Sequence, residues 1–151
     1  MADKETKLTL EIFAQKATNA LKRNRSIRKF KIKFESFTQD EDGEPIEIEF
    51  KTLNDYEVND CVAQSNEEDV SGREGDKYAV YIASINPSLK QLGQQLMSQG
   101  VIDTPLEVMD MFKPYEISQA AAIIMEESGI SPKKGKNATL VERGINNLKN
   151  S

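Results

Sequence analysis

Histidine is absent from the 151 residues, and Cys61 is the sole cysteine. A Ser/His/Asp or Cys/His relay therefore cannot be assembled from one copy of this chain. Zinc, haem and iron–sulfur centres draw on imidazole or on several thiolates, so none of them is expected within a subunit. An intramolecular disulfide is excluded. Long apolar runs are missing as well: the longest, Tyr78 to Ala83 and Ala120 to Met125, have six residues each, whereas a bilayer crossing takes roughly 20. The first residues carry charges of both signs and lead into an amphipathic stretch rather than the apolar core of a secretory signal. These absences lead us to expect a cytoplasmic protein with no cofactor, metal or membrane contact. Any catalysis would have to rest on carboxylates, lysines or tyrosines.

What is present suits a small domain with a polar surface. Hydrophobic residues make up 38% and charged residues 30%, still richer in Leu, Ile, Val and Phe than chains that remain unfolded. The length matches one hydrophobic core. The net charge of −5 hides a division. Ile12 to Phe34 holds eight basic residues and no acid, while Glu35 to Asp76 holds fifteen acids against Lys51 and Arg73. Adjacent blocks of opposite sign usually answer each other within one fold.

A hairpin supplies that answer. Phe30, Ile32 and Phe34 alternate with Lys31, Lys33 and Glu35, and Ile46, Ile48 and Phe50 alternate with Glu47, Glu49 and Lys51. The segment between them, Gln39 to Pro45, has turn composition. Aligning the apolar faces sets the lysines of one strand across from, or diagonal to, the glutamates of the other, so the outer face reads as a charge ladder. Lys22, Arg23, Arg25 and Arg28 are less accounted for and form a candidate basic patch. In the alternative functional reading, the segment 22–33 binds nucleic acid.

Helical spacing dominates the rest. Leu10, Phe13, Ala17, Ala20 and Leu21 make one stripe after Thr9 as N-cap, predicting a helix from about Leu10 to Lys22. Asn54 and Glu57 resemble a capping box ahead of a short helix through Cys61 and Val62. Asn66 to Asp76, with Gly72 and Gly75, reads as an acidic loop. Lys77 to Ile85 has strand-forming residues but helical spacing at Tyr78, Tyr81, Ile82 and Ile85, and the helix reading is preferred. Asn86-Pro87 resets the chain. Leu89, Leu92, Leu96 and Met97 then form a helix closed by Gly100. Thr104-Pro105-Leu106-Glu107 starts another, to about Phe112. Pro114 opens a helix with Ile117, Ala120, Ala121, Ile124 and Met125 as its buried face, ended by Ser128-Gly129.

The pattern is α+β and mainly helical: one antiparallel β-hairpin near the N-terminus followed by a bundle of short helices. Residues 1–129 read as a single globular domain, 130–137 as a basic linker and 138–151 as a separable C-terminal helix. Leu140, Val141, Ile145 and Leu148 line one face of that last helix and are the candidate partner-binding residues.

The chemical motifs are incomplete. Gly129 to Asn137 imitates a phosphate-binding loop but has five residues between its glycines instead of four, and Asn137 stands where a magnesium-holding Ser/Thr belongs. Thr38, Asp40, Asp42, Gly43 and Glu49 imitate part of a calcium loop, yet Thr38 replaces the first Asp and Pro45 takes an apolar place, so an acidic hairpin turn explains them. Glu47 and Glu49 share a strand face without apolar neighbours to raise either pKa. Cys61, near Val58 and Val62, reads as a buried small hydrophobe.

The order of these elements carries a resemblance. A short helix with Phe13-Ala14 comes first, and then a hairpin turn Asp42-Gly43-Glu44-Pro45-Ile46-Glu47. A Tyr-rich stretch follows into Asn86-Pro87-Ser88-Leu89, ahead of Gly100-Val101 and Pro114-Tyr115-Glu116-Ile117. From Leu8 to Gly129 the chain resembles the XkdN-like family of phage tail assembly chaperones, found in tailed phages and prophages of Gram-positive bacteria. It departs from that pattern at Tyr115, where relatives have glycine. The resemblance implies a protein, not an enzyme, that binds the tape measure protein in the bacterial host cytoplasm and helps recruit tail tube protein. It also implies departure before the virion is finished. Self-association is left open, and the family brings no catalytic or ligand residues to carry over.

Overall fold

The computed structural model describes residues 8–38, 45–64 and 73–131. Helix α1 (Leu10–Arg25) is followed by strands β1 (Lys29–Thr38) and β2 (Pro45–Lys51) and helices α2 (Asp55–Gln64) and α3 (Arg73–Ala83). A short strand β3 (Ser84–Asn86), helix α4 (Leu89–Ser98), a 3₁₀ helix (Pro105–Met111) and helix α5 (Pro114–Glu127) complete the order. The class is the expected one, α+β and mainly helical.

The strands form one antiparallel sheet in the order β1-β2-β3. Its register sets Ile32 against Ile48 and Phe30 against Phe50 on one face, and Lys31 against Glu49 and Lys33 against Glu47 on the other. Period-two alternation leaves little choice here, since a slip by one residue would turn every phenylalanine and isoleucine outward. The inner face carries Ile32, Phe34, Ile48 and Phe50, all buried. Burial of each contributes about 1.5–3 kcal/mol. Phe34 meets Phe112 with ring centroids 4.6 Å apart, and Phe30 and Phe50 stack at 6.2 Å.

Helix α3 runs through the middle of the helical layer, burying Ala79, Val80, Tyr81 and Ala83. It packs on α2 and α5, while α4 packs on the 3₁₀ helix. The α5 face is the expected one: Ile117, Ala120, Ala121 and Ile124 are buried and Met125 is half-buried against the core. Alanines at that contact let α3 and α5 approach closely, and the apolar run is core.

Several boundaries follow from local hydrogen bonds. Asn54 and Glu57 form the reciprocal capping box, with Glu57 N–H donating to Asn54 Oδ1 at 2.9 Å and Asn54 N–H donating to Glu57 Oε1 at 3.0 Å. Helices α4 and α5 end in the same way. Gly100 and Gly129 adopt φ of 78° and 77°, and the next residues donate back, Val101 to Leu96 and Ile130 to Met125. This is the left-handed stop that favours glycine. The Asn86–Pro87 peptide bond is cis.

Three expectations are corrected. The acidic stretch read as a loop to Asp76 already belongs to α3 from Arg73 onward, because Glu74 and Asp76 suit a helix N-terminus and offset the cost of Gly75. Helix α3 stops at Ala83, so Ile85 is not on its stripe: Ser84 and Asn86 pair with β2, adding a third strand to the hairpin. Ser84 makes the switch, its buried hydroxyl donating to the Tyr81 carbonyl and accepting from Leu89 N–H. The segment after Thr104 is a 3₁₀ helix, tightened where Gly93 of α4 passes so near Pro105 that a Cβ would run into the Pro105 carbonyl.

Candidate docking surface

Helix α1 stands apart from this core. It is capped at both ends by its own residues. Thr9 Oγ1 accepts from Ile12 N–H at 3.2 Å, and at the other end Ser26 Oγ donates to the Lys22 carbonyl at 2.7 Å. Glu11 lies in its first turn and Lys22, Arg23 and Arg25 in its last, each sign placed where the helix dipole favours it. The helix thus has local reasons to form that do not depend on packing.

Packing is what it lacks. No residue of α1 is buried, and none of its side chains joins or lies against the core cluster among the described residues. Leu10 is 82% exposed, Phe13 56% and Leu21 49%, with Leu8 just ahead at 60%. Bulky apolar side chains scattered singly on a surface are ordinary, but here they share one stripe with Ala14, Ala17 and Ala20.

The candidate basic patch divides. Lys22, Arg23 and Arg25 stay exposed on the last turn of α1. Arg28 is committed to structure. Its Nη2 donates to the Glu127 carbonyl at 2.6 Å and its Nη1 to the Arg23 carbonyl at 3.5 Å. Its backbone also exchanges hydrogen bonds with Thr52. Arg28 thus ties the end of α1 to the ends of β2 and α5. Lys31 and Lys33 stand opposite Glu49 and Glu47 in the ladder, so the segment 22–33 presents no continuous cationic strip.

Beside Arg28 lies a cleft of ≈ 640 Å³ lined by Arg25, Ile27, Lys51, Asn54 and Ile130, among others. Lys51 Nζ is paired with Glu57 at 2.7 Å across its wall. A smaller groove of ≈ 290 Å³ opens between the starts of α3 and α5, over Met109, Phe112 and Ile117, with the Lys77–Asp110 pair at 3.5 Å on its rim. Cys61 is buried, and its thiol is pushed up to about 11 by burial first and then by Asp60, Glu57 and Asp76. It is a packed hydrophobe and not a thiolate. Tyr81 is likewise raised, by burial and then by Tyr78. Among the described residues no cluster of three or more His, Cys, Asp or Glu could hold a metal ion, and no helix is long and apolar enough to cross a membrane.

Leu140, Val141, Ile145 and Leu148 lie outside the described residues, as do the hairpin turn 39–44 and most of the imitation phosphate loop. Tyr115, the departure from the family pattern, is exposed on the first turn of α5 and leaves the helix start intact. The surface that sequence reasoning missed is the stripe of α1, recognised as a helix face but not as a bare one. Its signal was that half of the stripe is alanine and that basic residues flank it on both sides. The chain matches no family model, no curated protein and no solved structure.

Proposed function

We propose that this protein is a non-catalytic tail assembly chaperone of a phage or prophage. It binds the tape measure protein in the host cytoplasm and assists assembly of the tail tube, and it is not retained in the mature virion. The observation that carries this reading is α1, a capped amphipathic helix whose bulky stripe residues Leu10, Phe13 and Leu21 are left exposed. A tape measure protein is a long helical chain with apolar stripes that aggregate when bare, and a projecting amphipathic helix covers such a stripe by helix-to-helix packing. The charged ladder on the outer face of the sheet and the net charge of −5 keep such a complex soluble. The resemblance in the order of elements from Leu8 to Gly129 points the same way.

The test is co-expression with the tape measure protein of the same phage or prophage. The expected result is a soluble complex that co-purifies and is lost with Phe13→Asp. A partner that stays insoluble with the intact chain, or that is captured equally by the variant, counts against the reading. Binding of DNA or RNA that weakens steeply with salt and depends on Lys22, Arg23 and Arg25 would favour the nucleic-acid alternative instead.

A further inference from the structure

The borders of the α1 stripe are charged, and basic residues predominate on both sides. At 100° per residue, Leu10, Phe13, Ala14, Ala17, Ala20 and Leu21 fall within an arc of about 120°. Lys16 and Arg23 border one side of that arc, and Arg25 and, farther round, Lys22 the other; Glu11 in the first turn is the one acid on that second side, and from Ile12 to Phe34 the chain has none. We propose that α1 docks an amphipathic helix with glutamate or aspartate on both borders of its own apolar stripe. This deepens, and rests on, the reading of α1 as the docking element.

Charge decides among the occupants. A second copy of α1 would set lysines and arginines against lysines and arginines, which opposes pairing. The chain's own residues 132–151 carry five basic residues against Glu142 alone, so they too are mismatched with this face. An acidic helix has the complementary sign on both borders, and opposite charges flanking an apolar seam are the arrangement that selects partners in paired helices.

Side-chain size decides between a helix and an anionic membrane, which would also answer the charge. Helices that lie in a bilayer interface bury large residues along their apolar face. In α1 three of the six stripe positions are alanine, which offers lipid little area but lets a second helix approach to about 8–10 Å between axes. Phe13 and Leu21 then stand on either side of the alanines as knobs for the partner's stripe.

The test uses the full chain and two designed amphipathic helical peptides with leucine at a and d, differing only in glutamate or lysine at e and g. Because α1 contributes nothing to the core, its variants are expected to melt like the parent, and melting curves verify this. The parent should bind the glutamate peptide at least about tenfold more tightly than the lysine peptide, with affinity falling as salt rises. The variant K16E/K22E/R23E/R25E should reverse the preference, and K16Q/K22Q/R23Q/R25Q should level it. Equal affinity of the parent for both peptides, preference for the lysine peptide, or binding to neither overturns the proposal. So does binding to phosphatidylglycerol vesicles in place of peptide. The two readings fail separately. Phe13-dependent capture of the tape measure protein without a glutamate preference sinks only the charge argument, whereas capture that ignores Phe13 removes α1 as the docking element altogether.

Discussion

Helices α1 and α5 have the same kind of sequence and opposite fates. Both carry an apolar stripe half made of alanine, and they have 16 and 14 residues. In α5 the stripe of Ile117, Ala120, Ala121 and Ile124 is buried on α3, whereas in α1 Leu10, Phe13, Ala14 and Leu21 are exposed and Ala17 and Ala20 only half-buried. What separates them is what lies alongside. The α5 stripe has β-branched isoleucines at its ends and a facing helix with Ala79 and Ala83, so two small-residue faces meet. The α1 stripe is bordered by four cations on its two sides, and bringing those against the core would desolvate them without partners. Amphipathicity states that a helix has a face to cover, and the flanking charges state with what.

The largest effects should come from the side of that comparison where burial is complete. Phe50→Ala removes a ring with 0% exposure from the centre of the sheet and should cost about 3–5 kcal/mol in denaturant unfolding. A much smaller loss would mean that the sheet face is not the core. Gly93→Ala forces α4 away from the Pro105 carbonyl, with an expected cost of about 1–3 kcal/mol, measured in the same way. The control Gly100→Ala meets open space and feels only its positive φ.

Ser84→Ala should cost a similar or slightly smaller amount, about 1–3 kcal/mol, because the buried Leu89 N–H loses its acceptor where α3 gives way to β3. A melting temperature unchanged from the parent would show that this hydrogen bond is replaceable.

A pH scan reads burial of a titrating group directly. The Cys61 thiol is raised from 9.0 to about 11, so the folded state holds its proton more firmly than the unfolded chain. The resulting stabilisation is complete below the unfolded value and is lost as pH rises through the 9.0-to-11 window. Tyr81, also raised by burial, adds to the alkaline loss in the same sense. The melting temperature should therefore fall across that window, and Cys61→Ala should make the fall shallower. An identical slope in the variant would place the titration elsewhere.

The smallest stability effect belongs to α1. Phe13→Asp should shift unfolding by no more than about 0.5 kcal/mol, since the ring leaves no cavity, while removing partner capture. If it destabilised the fold as Phe50→Ala does, the contrast between the two helices would collapse.

Much of this was legible without coordinates. The hairpin and its charge ladder follow from strict alternation, because period two puts Phe30, Ile32, Phe34, Ile46, Ile48 and Phe50 on one face; alternation alone leaves open whether the lysines stand opposite or diagonal to the glutamates, and the structure sets them opposite. Thr9, Asn54, Gly100 and Gly129 mark helix ends through hydrogen bonds and a positive φ that are local in sequence. The third strand was not legible. Ser84 to Asn86 is three residues long, and it pairs only because β2 happens to offer an edge there. The commitment of Arg28 was also hidden, since its acceptor is the carbonyl of Glu127, far along the chain.

Sequence by itself determined the hairpin, most of the helices and which face of each is apolar, because those properties depend on neighbours one to four residues away; the start and end of α3 and the third strand it did not determine. Tertiary structure alone decided which apolar faces are covered. That choice depends on shape and charge brought together from distant positions: it seated the alanines of α5 against α3 and left Leu10, Phe13 and Leu21 of α1 exposed between lysine and arginine.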